Sequence, residues 1–160
     1  MKKLITIWLL AFSVSAFSQT EVKNGTIYKE HPYITAVMQM TDKFQKGDTI
    51  GMASFYADSV KFYDSPDPKS YNLTKAKAGW QKIFADWEQI KLKKVGYPDG
   101  LQYDKDPFTV QSWWQITCVN KKTQKKATFE EVVFDSFNKD GKIVFEVSYY
   151  DTKALIDATK

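Results

Sequence analysis

The sequence has 160 residues, 43% hydrophobic and 16% aromatic, so it can bury one substantial core and a single domain is expected. Its formal charge is +4, which falls to about +2 when Lys2 and Lys3, which belong to an expected signal peptide, are removed. Apart from His31, all basic residues are lysine and none is arginine. Because arginine is preferred for bidentate contacts with phosphates and base edges, we expect no nucleic-acid partner.

The first 18 residues have the pattern of a signal peptide. Two lysines precede an apolar run over 4–14, and an Ala-x-Ser cleavage site ends at Ser18. We therefore expect export, with cleavage near Ser18 releasing a periplasmic or secreted protein. The next stretch, 19–31, has no periodicity and is predicted to be a flexible leader. No interior segment is apolar enough to span a membrane.

Two helices are predicted after the leader. Pro32 suits the first turn of a helix whose apolar residues recur at helical spacing until Gly47. Asp48 suits the N-cap of a second, short helix in which Met52, Phe55 and Tyr56 share one face. A strand is then predicted over 59–64.

A third helix follows, and Thr74 is predicted to cap it. Its wide apolar stripe consists of Ala76, Trp80, Ile83, Phe84 and Trp87. This stripe is interpreted as packing against a sheet, with stacking on a ligand as the alternative. A strand is predicted over 90–96, and a turn-rich loop over 97–107.

The last third of the chain alternates as three consecutive antiparallel strands. They are predicted over 108–119, 127–137 and 142–150, with a lysine-rich turn and an Asn-Lys-Asp-Gly turn between them. The order of elements predicts an α+β fold, with helices packed on one face of a curved, mostly antiparallel sheet. The domain is expected to span 32–155, and 156–160 is expected to form a tail.

Several short segments resemble a known superfamily. They are Gly47-Asp48 between two helices, Phe55-Tyr56-Ala57-Asp58 before a strand, and Asp140-Gly141-Lys142-Ile143-Val144 opening a strand that ends in Tyr149-Tyr150-Asp151. This pattern resembles the nuclear transport factor 2-like superfamily, in particular its SnoaL-like and ketosteroid-isomerase-like branches. The resemblance covers about 32–151. It implies a cone-shaped fold, in which a strongly bent sheet wraps around three helices and leaves a pocket open at one end.

The resemblance also allows the steroid-isomerase site to be carried over position by position. The general-base aspartate of that family matches Asp64, which is present. The tyrosine donor matches Met40, its supporting tyrosine matches Phe84, and the protonated aspartic acid matches Val133. Because three of the four polar positions are apolar, steroid isomerisation is not expected and a non-catalytic protein is favoured.

Two criteria disagree about which sheet face lines the pocket. Hydrophobic patterning turns inward Trp114, Ile116, Cys118, Val132, Phe134, Ile143, Phe145, Val147 and Tyr149. The register of the family turns inward Val144, Glu146, Ser148, Tyr150, Phe129, Glu131, Val133, Trp113 and Gln115. We adopt the family register because it gives a half-polar concave surface suited to a ligand.

The predicted site follows from that choice. The candidate general bases, if the protein is an enzyme, are Asp64 and Glu146. The predicted ligand pocket consists of Phe55, Trp80, Phe84, Trp87, Trp113, Glu131, Ser148 and Tyr150. The face left outside is apolar and predicts a homodimer through Trp114, Ile116, Phe134, Phe145, Val147 and Tyr149.

Three functions remain open at this point. The favoured one is an exported domain that binds a small apolar or aromatic molecule without a cofactor. The first alternative is a cofactor-independent isomerase, lyase or hydrolase that uses Asp64 or Glu146 as general base. The second is a structural homodimer with a filled cone. No metal is expected, because His31 is the single histidine and Cys118 the single cysteine, which leaves no zinc-binding set.

Overall fold

A computed structural model describes residues 23–65 and 67–160. The predicted signal peptide and the first residues of the leader lie outside this range. The helices are α1 (Pro32–Gln45), α2 (Thr49–Ala53), α3 (Leu73–Asp86) and α4 (Lys153–Thr159). The strands are β1 (Thr26–Tyr28), β2 (Tyr56–Asp64), β3 (Trp87–Lys94), β4 (Asp99–Gln102), β5 (Thr109–Asn120), β6 (Lys126–Phe137) and β7 (Ile143–Tyr150).

The ends of α1 and α2 follow the residues that predicted them. Helix α1 has Pro32 in its first turn, and Gly47 lies just beyond its C-terminal end with a φ of +72°. Glycine adopts this left-handed conformation without the strain that a Cβ atom would cause, so the chain can leave the helix there. Asp48 caps α2 by accepting a hydrogen bond from the Gly51 N–H at 2.8 Å.

Helix α3 begins earlier than predicted. Its cap is Asn72, whose side-chain oxygen accepts a hydrogen bond from the Lys75 N–H at 3.0 Å, whereas Thr74 lies inside the first turn. Helix α2 is shorter than predicted and ends at Ala53. Tyr56 is therefore the first residue of β2 and does not belong to the helix for which it is predicted. Its side chain points toward the core and is 4% exposed.

The seven strands form one sheet in the order β1-β4-β5-β6-β7-β2. Strand β3 also pairs with β5, next to a later part of β5 than the part that pairs with β4. Strand β2 runs parallel to β7, and the other pairings are antiparallel. Register shifts interrupt β2, β3 and the β6–β7 pairing. Since such irregularities bend strands and increase their twist, they favour the curved sheet that the sequence predicts.

Two short strands lie where none was predicted. Strand β1, in the expected leader, pairs with β4, in the expected turn-rich loop, through Ile27 and Leu101. Strands of three and four residues are too short for alternation to be visible in the sequence. The expected tail likewise lies largely within α4, whose Ala158 is 3% exposed and packs against Cys118 and Ala127.

The core lies between the helices and the concave face of the sheet. Its most deeply buried side chains come from α1, β2, β5 and β7, and they include Val37, Val60, Phe62, Val110 and Ile143, each at most 1% exposed. Among the residues that the structure describes, no helix is both long enough and apolar enough to cross a membrane. The helices thus cover the concave face and leave the convex face open.

Candidate functional site

A cavity of about 410 Å³ lies between the helices and the concave face of the sheet. Its walls come from α1, α2, α3, α4 and from strands β2, β3, β5, β6 and β7. The volume lies in the range of small-molecule sites. Exposed residues of α3 and the loop before it, namely Asp67, Lys75 and Gly79, form part of the wall, so the cavity reaches solvent on that side.

The strand register arranges the concave face in rows. Asp135 of β6 pairs with Glu146 of β7, and Glu131 pairs with Tyr150 four residues away on each strand. Ser148 lies between these rows on β7, and it pairs with Asp64 of β2. Because directly paired residues share a face, all four acids point to the same side of the sheet. The cavity therefore has a carboxyl cluster, which we define as Asp64, Glu131, Asp135 and Glu146.

The family register correctly assigns the inner face of β6 and that of β7 from Glu146 to Tyr150, but not that of β5. It is also wrong at the start of β7, where Ile143, and not Val144, pairs with the buried Phe137 and has no exposed surface. Trp114 pairs with Glu131, and Ile116 pairs with Phe129, so both line the cavity. Trp113 pairs with Val132 and is 45% exposed on the convex face. The assignment of Trp113 to the pocket was therefore wrong. The assignment of Trp114 and Ile116 to the dimer surface was wrong for the same reason.

Most of the other residues predicted for the site line the cavity. The cavity is lined by Asp64, Trp80, Trp87, Glu131, Glu146, Ser148 and Tyr150. Phe55 and Phe84 lie outside it. Phe55 packs against the main core, and the Phe84 ring contacts Phe44 with 5.1 Å between centroids. The apolar stripe of α3 thus divides, with Trp80 facing the cavity and Phe84 packing against α1.

The pair formed by Asp135 and Glu146 is the most deeply buried part of the carboxyl cluster. Asp135 has no exposed surface; its carboxyl group hydrogen-bonds to Glu146, and no N–H group or hydroxyl group of the described residues donates to either of its oxygens. Burial raises the pKa of Asp135 well above its ordinary value, and the charge of Glu146 raises it further. Asp135 therefore holds its proton at neutral pH, next to a second carboxyl group.

Tyrosine hydroxyls contact two of the acids. The Tyr56 hydroxyl donates to Glu146 Oε2 at 2.5 Å, and the Tyr71 hydroxyl donates to Asp64 Oδ2 at 2.6 Å. Burial raises the pKa of Glu146 to about 6, although the hydrogen bond from Tyr56 opposes this. The pKa of Asp64 is raised by burial and lowered less strongly by Tyr71. Both tyrosines remain protonated donors, since burial raises their pKa values as well.

Glu131 and Tyr150 form the third row of the site. Burial raises the pKa of Glu131 to about 8, the charge of Glu146 contributes in the same direction, and the Ser148 hydroxyl opposes it. Burial raises the pKa of Tyr150 to about 12. The carboxyl groups of Glu131 and Glu146 thus change protonation near neutral pH, which is the range in which groups transfer protons most effectively.

Three important site residues were not predicted. Asp135 lies two and four residues beyond Val133 and Glu131, so continuing the alternation along β6 would have identified it. Tyr56 was assigned to a helix, and its position at the start of β2 depends on where α2 ends. Tyr71 lies before α3 in a segment without periodicity, and only its bridge to Phe62 places it at the site.

The positions matched to the steroid-isomerase donors are apolar, as the sequence indicates. Met40 and Val133 line the cavity, and Phe84 does not. The site nevertheless contains hydroxyl groups and a protonated acid, supplied by Tyr56, Tyr71 and Asp135 from other positions. No group of three or more potential metal ligands within 23–65 and 67–160 is arranged to hold a metal ion.

Comparisons with known proteins identify the fold. A proposed polyketide cyclase from Xanthomonas campestris pv. campestris superimposes with a TM-score of 0.65 and 17% identity, over 81% of this chain and 98% of that one. A nuclear transport factor 2-like protein from Burkholderia thailandensis gives 0.64 and 15%, over 80% and 97%. A proposed SnoaL-like polyketide cyclase from Shewanella denitrificans gives 0.65 and 12%, over 81% and 98%.

The chain has the nuclear transport factor 2-like fold. The predicted α+β architecture and the fold implied by the resemblance are confirmed, and SnoaL-like proteins are among the structures that share this fold. No protein-family model matches the sequence, and no curated protein sequence matches it significantly. A nuclear transport factor 2-like fold supports many unrelated activities, so the function of this chain must be inferred from its own cavity.

Proposed function

We propose that this protein binds a small molecule with a mainly apolar or aromatic body in the cavity, with a polar group of the ligand facing the carboxyl cluster. The observation that carries this proposal is the cavity of about 410 Å³, in which aromatic and aliphatic walls surround a few polar groups. An open cavity of this size also speaks against the alternative of a purely structural protein with a filled cone.

Native mass spectrometry of the protein purified from its own host tests the proposal. We expect the intact mass to exceed the mass of the polypeptide by a few hundred daltons, the size of a ligand that such a cavity holds. The substitution Ala76→Phe places a ring in the cavity, because Ala76 is 3% exposed and lines its wall. This variant should lose the additional mass.

The control is Ala78→Phe, which places the same ring on the exposed side of α3. This variant should keep the ligand, and thermal unfolding of both variants should show that each is folded. A wild-type protein without additional mass, whose unfolding temperature does not rise with any compound of a small-molecule library, would contradict the proposal.

A second candidate function is acid–base catalysis without a cofactor. Glu146, with a pKa of about 6, lies beside Asp135, which keeps its proton, and beside the hydroxyl of Tyr56. Two carboxyl groups with pKa values moved apart can supply a base and an acid. Glu146 would remove a proton from the substrate, while Asp135 and Tyr56 would donate hydrogen bonds to the developing negative charge.

Conversion of the retained ligand distinguishes catalysis from binding. If the protein is an enzyme, the wild type should convert the compound, and Glu146→Gln should reduce the rate by roughly 10²–10⁴-fold, as expected for the loss of a general base. Glu130→Gln, on the opposite face of β6, is the matched control. A ligand that the wild type leaves unchanged over hours would favour a binding protein.

Export and dimerisation are part of the same proposal. We propose that the signal peptide is removed near Ser18, so that the mature chain begins at Gln19, which intact-mass measurement tests directly. We also propose an isologous homodimer through the convex face of the sheet. The convex patch, as we define it from the register, consists of Trp113, Val132, Phe134, Phe145, Val147 and Tyr149.

A further inference from the structure

The cavity wall is rich in acidic residues, whereas the whole chain has an excess of lysines. The chain has 23 lysines and 19 acidic residues. The cavity, in contrast, is lined by the four acids of the carboxyl cluster, by Asp67 near its opening and by Lys75 as its single lysine. The ammonium group of Lys75 lies over the ring of Tyr71, 5.2 Å from its centroid, and no salt bridge joins it to the cluster.

Asp135 provides a second and independent indication. It lines the cavity, it is completely buried, and both of its carboxyl oxygens lack a hydrogen-bond donor among the described residues. The proton of Asp135 is used in its hydrogen bond to Glu146, so its other carboxyl oxygen is buried without a donor, which is unfavourable. The adjacent hydroxyl of Tyr56 donates to Glu146, so it does not satisfy Asp135. The group that Asp135 lacks is a hydrogen-bond donor, and an ammonium group has three.

The walls next to the carboxyl cluster are aromatic. The rings of Tyr56 and Trp80 lie 5.6 Å apart, and Trp114 and Tyr150 flank Glu131 in the register. Aromatic faces attract organic cations, whereas a small metal ion requires several oxygen ligands converging on one point. The remaining space is apolar and suits the body of a larger molecule.

Resting on the small-molecule site proposed above, we propose that the ligand is an organic cation: a protonated amine whose ammonium group contacts Asp135 and Glu146 and whose apolar or aromatic body fills the rest of the cavity. The position of the acids and the carboxyl oxygen of Asp135 that lacks a donor carry this inference. It names the substrate class of the site, whether the protein only binds the molecule or also converts it.

Protonation gives the proposal a distinctive signature. The pKa of Glu131 is raised to about 8 and that of Glu146 to about 6, chiefly by burial, so both acids hold protons over part of the neutral range. A cation favours their charged forms, so its binding should release protons and become tighter as the pH rises from 6 to 8. A neutral ligand that accepts hydrogen bonds from protonated acids should show the opposite dependence.

Other titratable groups face these acids from the surrounding elements. The acids are Asp64 from β2, Asp67 and Asp135. The remaining groups are Tyr56, Tyr71, Lys75, Cys118 and Tyr150. The pKa values of the tyrosines and of Cys118 are raised by burial, so these groups stay neutral between pH 6 and 8. Changes of affinity in this range therefore report on the acids.

Isothermal titration calorimetry with three indole probes tests the proposal. The probes are tryptamine, its neutral analogue tryptophol and the anion indole-3-acetate. Tryptamine carries a primary alkylamine, which stays protonated throughout this range. At pH 8 we expect tryptamine to bind at least about tenfold more tightly than tryptophol, and indole-3-acetate to bind most weakly. The preference for tryptamine should shrink severalfold at pH 6.

Single substitutions test which acids determine the preference for tryptamine and its pH dependence. Glu146→Gln should remove most of the preference for tryptamine while tryptophol still binds, because Glu146 is the charged member of the buried pair at pH 8. Glu131→Gln should flatten the pH dependence. Asp58→Asn, at an exposed position of β2, should change neither. Binding of tryptophol by Glu146→Gln also shows that this variant is folded.

Two outcomes would overturn the inference while leaving the small-molecule site in place. One is equal binding of tryptophol and tryptamine, and the other is affinity for tryptamine that falls as the pH rises. Displacement of tryptamine by millimolar Ca²⁺ would instead assign the carboxyl cluster to a metal ion and also overturn it. If none of the three probes binds at millimolar concentration, this inference is contradicted, whereas the small-molecule site is judged separately by the retained mass and the compound library.

Discussion

The central strands β5–β7 carry acidic residues on their covered face and exposed aromatic residues on their uncovered face, which is the reverse of the usual arrangement. The concave face is covered by helices and yet contains the carboxyl cluster, including Asp135 with no exposed surface. The convex face is uncovered and yet presents Trp113 and Tyr149, which are 45% and 51% exposed. Acidic groups buried next to a cavity and apolar groups exposed on a sheet both cost stability in an isolated chain. The proposed ligand inside and the proposed second copy outside would each cover one of these two faces.

The largest expected effect concerns the convex face. Tyr149 pairs with Val132, which pairs with Trp113, so the three form one row across the convex patch. In an isologous dimer this row would lie near the centre of the interface. We expect Tyr149→Lys to weaken dimerisation by roughly 2–4 kcal/mol, as for an interface hot spot, and sedimentation velocity at micromolar concentration should then show a monomer.

The matched control is Ile50→Lys, which introduces the same charge at an apolar residue of α2 that is 87% exposed and remote from the sheet. That variant should sediment like the wild type. A wild-type protein that is already monomeric at these concentrations would show that the convex face is completed by some other partner or by none.

The second expected effect concerns the concave face and the pH dependence of stability. The pKa of Glu131 is raised from its usual 4.5 to about 8 in the folded protein. Between these pH values the unfolded chain releases the proton and the folded chain keeps it. The contribution of Glu131 to the free energy of unfolding is therefore complete below about pH 4.5 and is lost as the pH rises toward 8. Asp64, Asp135 and Glu146 act in the same direction.

Urea denaturation at pH 5 and pH 8 measures this effect. We expect the free energy of unfolding of the wild type to fall by at least about 1–2 kcal/mol between these values, and Glu131→Gln to reduce the loss. Glu130→Gln, one residue away on the convex side and hydrogen-bonded to Gln115 at 3.0 Å, should leave the pH dependence unchanged. Equal slopes for Glu131→Gln and the wild type would mean that Glu131 is hydrated in the folded state.

The sequence predicts those parts of the fold and of the candidate site that depend on neighbouring residues, and it fails for parts that depend on strand pairing. The cap at Asp48 and the helix end at Gly47 are local, and both were predicted correctly. The choice of face on β5 depends on its pairing with β6. Trp113 and Trp114 are identical in type, so alternation could not separate them, and only the pairing of Trp114 with Glu131 decides.

The carboxyl cluster shows the same limit. Glu131, Glu146 and Asp64 were proposed from three separate strands, and the sheet register brings them together. Asp135 and Tyr56 were missed, because one requires the alternation of β6 to be continued past Val133 and the other requires the end of α2 to be known. The sequence thus predicts that the site contains carboxyl groups. It does not predict the most buried pair, Asp135 and Glu146, because that pair depends on non-local contacts.

The smallest expected effect uses the two neighbouring tryptophans as reporters of the two faces. Trp113 is 45% exposed on the convex patch, and Trp114 is 4% exposed, with its indole N–H donating to Ser112 Oγ at 2.9 Å. Iodide quenching of fluorescence should therefore fall by a large fraction in Trp113→Phe and change little in Trp114→Phe. If the convex patch forms a dimer, quenching of Trp113 should also decrease as the protein concentration rises, and Tyr149→Lys should abolish this decrease. Quenching that is independent of concentration in a protein that sediments as a dimer would place the interface elsewhere and leave the convex face exposed.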